Sequence, residues 1–123
     1  MYRKILVGTD GSATAARAVE RAVDVARIHD AALTILTAGH GEKAQQVVAD
    51  AAATHHGSGV AIDTRVVDQD PATALVSVAE EGGYDLLVTG NKGMTGARRF
   101  LLGSVPNKVG HHIPCSFLVV RTT

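Results

Sequence analysis

Between Thr89 and Val105 the chain reads TGNKGMTGARRFLLGSV, with four glycines, three basic residues and no acid. Glycines 90, 93, 96 and 103 carry no Cβ to hold another molecule off the backbone, and they permit positive φ. Consecutive N–H groups in such turns form a concave nest for anions. Ser104 then opens a helical pattern, and first-turn N–H groups lack intrahelical partners and carry partial positive charge. Lys92, Arg98 and Arg99 add charge of the same sign. A phosphate group is the ligand that suits this stretch. A second stretch, GTDGS at 8–12, has complementary chemistry. A carboxylate at Asp10 repels phosphate but accepts hydrogen bonds from sugar hydroxyls, as acids do in dinucleotide-binding folds. Together the two stretches predict a nucleoside near Asp10 and phosphates over the loop after Thr89.

Each feature alone has a plainer reading. A glycine at a strand end is commonly a turn residue. Asp10 before Gly11-Ser12 can simply cap a helix. Lys92, Arg98 and Arg99 can form a solvated face. The case lies in the conjunction. Two better-known phosphate motifs are absent: there is no G-x-x-x-x-G-K-[ST], and no G-x-G-x-x-G follows the first strand. The pairs His55-His56 and His111-His112 are adjacent residues, which point about 100° apart on a helix, so they predict no metal site. Cys115, the single cysteine, reads as a small core residue after Pro114.

The elements that must position these residues are legible as patterns. Five β-branched or leucine-rich runs, at 2–8, 32–37, 60–67, 85–89 and 116–121, read as strands. Helical patterns lie between them. The first spans 12–29, with Ser12 as N-cap and Val19, Ala22, Val23 and Ala26 as its buried stripe. The second spans 41–56, with Ala44, Val47, Val48, Ala51 and Ala52 inward and GSG at 57–59 as its stop. The third starts at Asp70-Pro71, turns Leu75, Val76 and Ala79 inward, and stops at Gly82-Gly83. The fourth spans 104–112, and Pro114 prevents its extension. Strict alternation predicts an α/β fold with a parallel sheet between helices, as one domain over residues 1–123. Ligands in such sheets bind beyond the carboxyl ends of the strands, where strand order reverses.

Composition narrows the partners. Lysine plus arginine equals aspartate plus glutamate, 12 each, so no global charge draws the chain to nucleic acid or anionic membranes. Aromatic residues are 3%, too few for a single-strand stacking platform. No apolar run approaches the roughly 20 residues of a membrane span. The opening MYRKILVGTDGS shows no signal-peptide cleavage pattern, and the lone cysteine forms no internal disulfide, so a cytoplasmic location is expected.

Gly90-x2-Gly93-x9-Gly103-Ser104 resembles the nucleotide-binding pattern G-x2-G-x9-G-[ST] of the universal stress protein family. ILVGTDGS is similar to that family's first strand and turn. DLLVTGNKG and LLGSVPNKVGHHIPCSFLVV are similar to its fourth strand, last helix and last strand. The resemblance covers the whole chain. It implies a three-layer, Rossmann-like (adenine nucleotide α-hydrolase-like) sheet of order 3-2-1-4-5 and a homodimer. It also implies binding of ATP or a related adenine nucleotide (ADP, AMP or cyclic AMP), with Mg²⁺ arriving on the phosphates. By position, Asp10 meets the nucleoside with Gly8 and Thr9 beside it. Gly90, Gly93, Gly103, Ser104 and Val105 meet phosphate and ribose, with Asn91, Lys92 and Arg98 in the same motif. Ala38 offers a backbone contact to adenine. One departure stands out: TAGHGEKA passes almost directly from the second strand into helix, where family members have a longer segment.

SFLVVRTT at 116–123 bears on the dimer independently. At a sheet edge its backbone groups need cover, and pairing with its copy would give a two-fold interface. The other reading is a strand covered by its own helices. Hydrolysis needs a positioned water and charge stabilisation, and neither strand-end motif holds a general base; His40, the nearest by chain position, reads as a surface residue. The sequence therefore favours a regulatory nucleotide-binding module with slow or no turnover. The alternatives are a slow ATPase, an AMP- or cyclic-AMP-binding variant, and a nucleotide-free interaction protein.

Overall fold

In the computed structural model, which describes residues 1–91 and 104–122, nine elements alternate: β1 (Lys4–Gly8), α1 (Ala13–His29), β2 (Ala32–Ala38), α2 (Gly41–Thr54), β3 (Ile62–Val67), α3 (Pro71–Glu81), β4 (Leu86–Gly90), α4 (Ser104–His112) and β5 (Ser116–Val120). The strands form one parallel sheet of order β3-β2-β1-β4-β5, as expected. β1 lies at the centre and its Ile5, Leu6 and Val7 are fully buried. A strand covered on both faces must be apolar at consecutive positions rather than at alternate ones. Ile5 and Val7 pack with α1 and with Val48 of α2, whereas Leu6 packs with α3 and α4. The two crossovers running from β1 toward β3 thus cover one face, and the two running back past β1 cover the other. The order reverses between β1 and β4.

The helix signals explain most boundaries. Ser12 Oγ accepts from the Ala15 N–H at 3.2 Å, capping α1. Asp70 Oδ2 accepts from the Thr73 N–H at 3.2 Å, and Pro71 fills the first position of α3. α2 departs from expectation. It ends at Thr54 with His55 as C-cap, and the glycines of GSG belong to the turn before β3, where Gly59 takes φ +83°. Of its expected stripe only Ala44 and Val48 are buried. The cause is position: α2 lies over β2 and the edge strand β3, where less sheet is available to cover it. β3 starts at Ile62, two residues later than its sequence pattern, although Val60 still packs against the core.

The amino end of the sheet is closed by polar contacts. Asp85, just before β4, accepts from the N–H groups of Arg3 at 2.9 Å and Lys4 at 3.0 Å, joining the starts of β1 and β4. Tyr84 donates its buried hydroxyl to Thr34 Oγ1 at 2.8 Å. Lys4 Nζ lies 4.5 Å from the centre of the Tyr84 ring. Gly82 is required here, because a Cβ would stand 2.5 Å from a Tyr84 ring carbon and 2.9 Å from the Val78 carbonyl oxygen. Among the described residues no helix is long and apolar enough to cross a membrane.

Two outcomes follow from this end. Tyr84→Phe leaves the Thr34 hydroxyl buried without its partner, and the expected cost is about 1–2 kcal/mol in urea unfolding, with the slope unchanged. Burial pushes the Asp85 carboxyl up, but the backbone donors of Lys4 and Arg3 outweigh it and hold the group below its ordinary value. A carboxyl lowered in the folded state contributes stability above its unfolded value, about 3.9, and loses it as pH falls through the folded value. Asp85→Asn should therefore flatten the acid limb of stability against pH, read by denaturant midpoints from pH 6 downward.

Candidate functional site

Both strands at the reversal end in polar turns. After β1, Thr9 extends the ladder through its N–H to the Leu36 carbonyl oxygen, at 2.9 Å. The buried Thr9 hydroxyl accepts from the Gly11 N–H at 3.1 Å, and Asp10 Oδ1 accepts from the Ser12 N–H at 2.9 Å. Gly11 takes φ +83°, and a Cβ there would also lie 3.2 Å from Val47. The turn is thus rigid, and it presents an exposed Asp10 carboxylate whose second oxygen has no partner among the described residues.

After β4, Gly90 sits where a Cβ would meet Thr122 at 3.2 Å, so its first requirement is close packing. Asn91 stitches the chain to the end of β5. Its N–H reaches the Val120 carbonyl oxygen at 2.8 Å, and its Oδ1 accepts from the Thr122 N–H at 2.9 Å and the Thr122 hydroxyl at 3.0 Å. Thr89 is different. It is 2% exposed and its hydroxyl has no partner among the described residues. It lines a small cavity with Gly8, Thr14, Gly90, Val105 and Thr122. Val105 is in the first turn of α4, whose unpartnered N–H groups suit an anion. Arg17 of α1 reaches the Thr122 carbonyl oxygen with Nη1 at 3.4 Å, bringing a cation to the same place.

Of the residues expected from the sequence, Gly8, Gly90 and Val105 come together at this cavity, and Thr9 and Asp10 form the adjoining turn. Lys92, Gly93, Arg98 and Gly103 lie outside the described residues. Sequence reasoning missed Thr14, Arg17, Thr89 and Thr122. Only Thr89 left a signal, as a hydroxyl closing an otherwise apolar buried strand. On the other side of the turn, a cleft of about 220 Å³ opens between α1 and α2, walled by Ala16, Val19, Val47 and Ala51. Ala38, the last residue of β2, is half-buried and paired in register with Val67. The Gly39 N–H continues that pairing to the Val67 carbonyl oxygen, at 2.9 Å. His40 is exposed, with Nδ1 3.5 Å from Asp68 Oδ1. Cys115 is half-buried. Burial, and then the charge of Asp85, pushes its thiol up, which makes it a poor nucleophile. Among the described residues no three His, Cys, Asp or Glu side chains converge as a metal site.

A sequence model described as "Universal stress protein family" matches residues 1–41 and 37–121, in two pieces that meet at the junction of β2 and α2. A putative universal stress protein of Staphylococcus haemolyticus is 33% identical over 98% of this chain and 86% of its own length. The alignment runs over 147 positions against 123 residues here. A universal stress protein of Mycobacterium tuberculosis is 34% identical, over 99% of this chain and 98% of its own. Among solved structures, a universal stress protein in complex with cAMP is 38% identical and superposes with a TM-score of 0.84, covering 99% of this chain and 98% of that one. On its sheet order and on matches that span nearly all of its length, this chain belongs to the universal stress protein family.

Proposed function

We propose that this protein binds an adenine nucleotide, ATP first among them, across the reversal between β1 and β4, and acts in the cytoplasm as a regulatory stress-response module. The observation that carries the reading is the buried Thr89 hydroxyl, unpartnered within the described residues, in a cavity bounded by Gly8, Gly90 and the first turn of α4. A buried hydroxyl without a partner costs stability, and the cavity beside it, about 10 Å³, has room for a single ligand oxygen that would relieve the cost. In this reading, phosphate oxygens accept from Thr89 Oγ1 and from the first N–H groups of α4, beginning at Ser104 and Val105. Gly93, Gly103, Lys92 and Arg98 serve the phosphates through the motif, and the second amide atom of Asn91 faces the same ligand. Arg17 adds charge from α1. The free oxygen of Asp10 accepts from a ribose hydroxyl, with Thr9 beside it, and the backbone of Ala38 meets the base. Mg²⁺ arrives with the phosphates. With no general base beside Asp10 or Thr89 among the described residues, the reading takes turnover as slow or absent.

A second reading, in which the ligand is cyclic AMP or AMP, has its own support. The 38% identical relative was solved with cAMP, and the two-residue link from β2 to α2 leaves less chain to enclose a large ligand. The reading also includes a homodimer through residues 116–121. β5 is the sheet edge, and Phe117, Leu118 and Val119 are only half-buried in one chain.

Thermal unfolding with ATP·Mg²⁺, ADP, AMP, cyclic AMP and GTP tests the ligand. An adenine nucleotide at 100 times its dissociation constant should add about 2.7 kcal/mol. Gly93→Val should abolish the shift. Thr89→Val, which removes an unsatisfied hydroxyl at nearly constant volume, should leave the free protein as stable or up to about 1 kcal/mol more stable, while shrinking the ligand shift. No shift from any nucleotide at millimolar concentration would sink the reading. For the dimer, sedimentation should give twice the 12.7 kDa chain mass, and Val119→Lys should return it to the monomer; a wild-type monomer refutes it.

A further inference from the structure

We infer that His40 supplies the stacking face for the nucleotide base, an inference that rests on the nucleotide reading above. β2 ends at Ala38, and only Gly39 and His40 separate it from α2. Gly39 has no side chain, so His40 is the first side chain past the backbone that meets the base. The two pieces of the family match overlap at 37–41, which include this two-residue link.

His40 is poorly suited to the plainer roles. It occupies the N-cap of α2 but makes no side-chain capping bond, at a position where Asn, Asp or Ser would add stability. Its side chain is 82% exposed, so it contributes nothing to the core. Among the described residues its one polar side-chain partner is Asp68, directly beyond β3, at 3.5 Å. That contact places the ring beyond the ends of β2 and β3, with most of its surface exposed. A carboxylate on one nitrogen orients an imidazole without covering its π-surface.

Topology makes His40 unusual as well. Tyr2 and Tyr84 precede β1 and β4, and Phe117 is the second residue of β5. His29 ends α1, His55 and His56 follow α2, and His111 and His112 end α4. In a parallel α/β sheet all of these positions belong to the amino end. Among the described residues His40 is the one ring placed by topology at the carboxyl end, although His55 also lines the cleft between α1 and α2 with Thr9, Gly11 and Ser12. Stacking on a histidine ring is a recurrent way to hold a base without reading its edge.

The test separates base from phosphate. Calorimetric titration would compare ATP, AMP and cyclic AMP with tripolyphosphate, which has no base, on wild type, His40→Ala and His40→Phe. His40→Ala should bind the adenine nucleotides about five- to tenfold more weakly, the scale of one exposed stacking contact. His40→Phe should restore them, and tripolyphosphate affinity should stay the same in all three. In wild type, the His40 ring protons should shift upfield in NMR spectra with ATP and not with tripolyphosphate. Unchanged nucleotide binding in His40→Ala overturns the inference, as does an equal loss for tripolyphosphate. Loss of binding in Ala51→Trp with His40→Ala unaffected would instead put the base in the cleft between α1 and α2. If neither nucleotides nor tripolyphosphate bind wild type, the nucleotide reading itself fails and His40 falls with it.

Discussion

β1 is paired on both edges and buried on both faces, and the rest of the molecule is arranged around that burial. Its backbone donors and acceptors are matched by β2 and β4, so its side chains are free to be wholly apolar. Each buried Ile, Leu or Val contributes roughly 1.5–3 kcal/mol relative to exposure. Covering both faces demands crossovers on both sides, and right-handed crossovers achieve this only by leaving β1 in one direction and returning past it in the other. Where they diverge, the crossovers lead to opposite faces, and a crevice lies beyond the strand ends. The central strand cannot be buried on both faces without creating an open crevice at its carboxyl end.

The two ends of the sheet handle polar groups differently. At the amino end, Asp85 and Tyr84 spend their polar atoms within the protein, and the end is closed. At the carboxyl end, internal hydrogen bonds hold two turns in shape: Thr9 with Gly11, Asp10 with Ser12, and Asn91 with Thr122. The Thr89 hydroxyl and one Asp10 oxygen remain unmatched within the described residues. Fixed turns around unmatched groups are a preorganised arrangement, in which a ligand would meet its partners with little further loss of conformational freedom.

The link from β2 to α2 shows how a local change alters a site without altering its fold. The sheet keeps its order with two residues there, because α2 needs only to reach β2 and β3. The effect of so short a link falls instead on the crevice, which has less chain from this side to enclose it.

The sequence by itself determined the element order and the parallel sheet, and it pointed to the end of the sheet where the candidate site is placed. Those follow from apolar periodicity, caps such as Ser12 and Asp70, and the glycines at 90, 93 and 103, all local signals. It also marked Asp10, Gly8 and Val105, since each sits beside a strand end or helix start visible in the pattern. The tertiary structure decided the rest. That Asn91 is a stitch to Thr122 depends on two segments 31 residues apart meeting. That α2 stops at Thr54, before its glycines, depends on how much sheet lies beneath it. That the Thr89 hydroxyl is buried without a partner among the described residues, with Arg17 reaching Thr122 of the same cavity, is a property of the space left when helices and strands have packed. Periodicity records which face of an element is covered. It holds no information about which polar atoms that covering leaves unsatisfied.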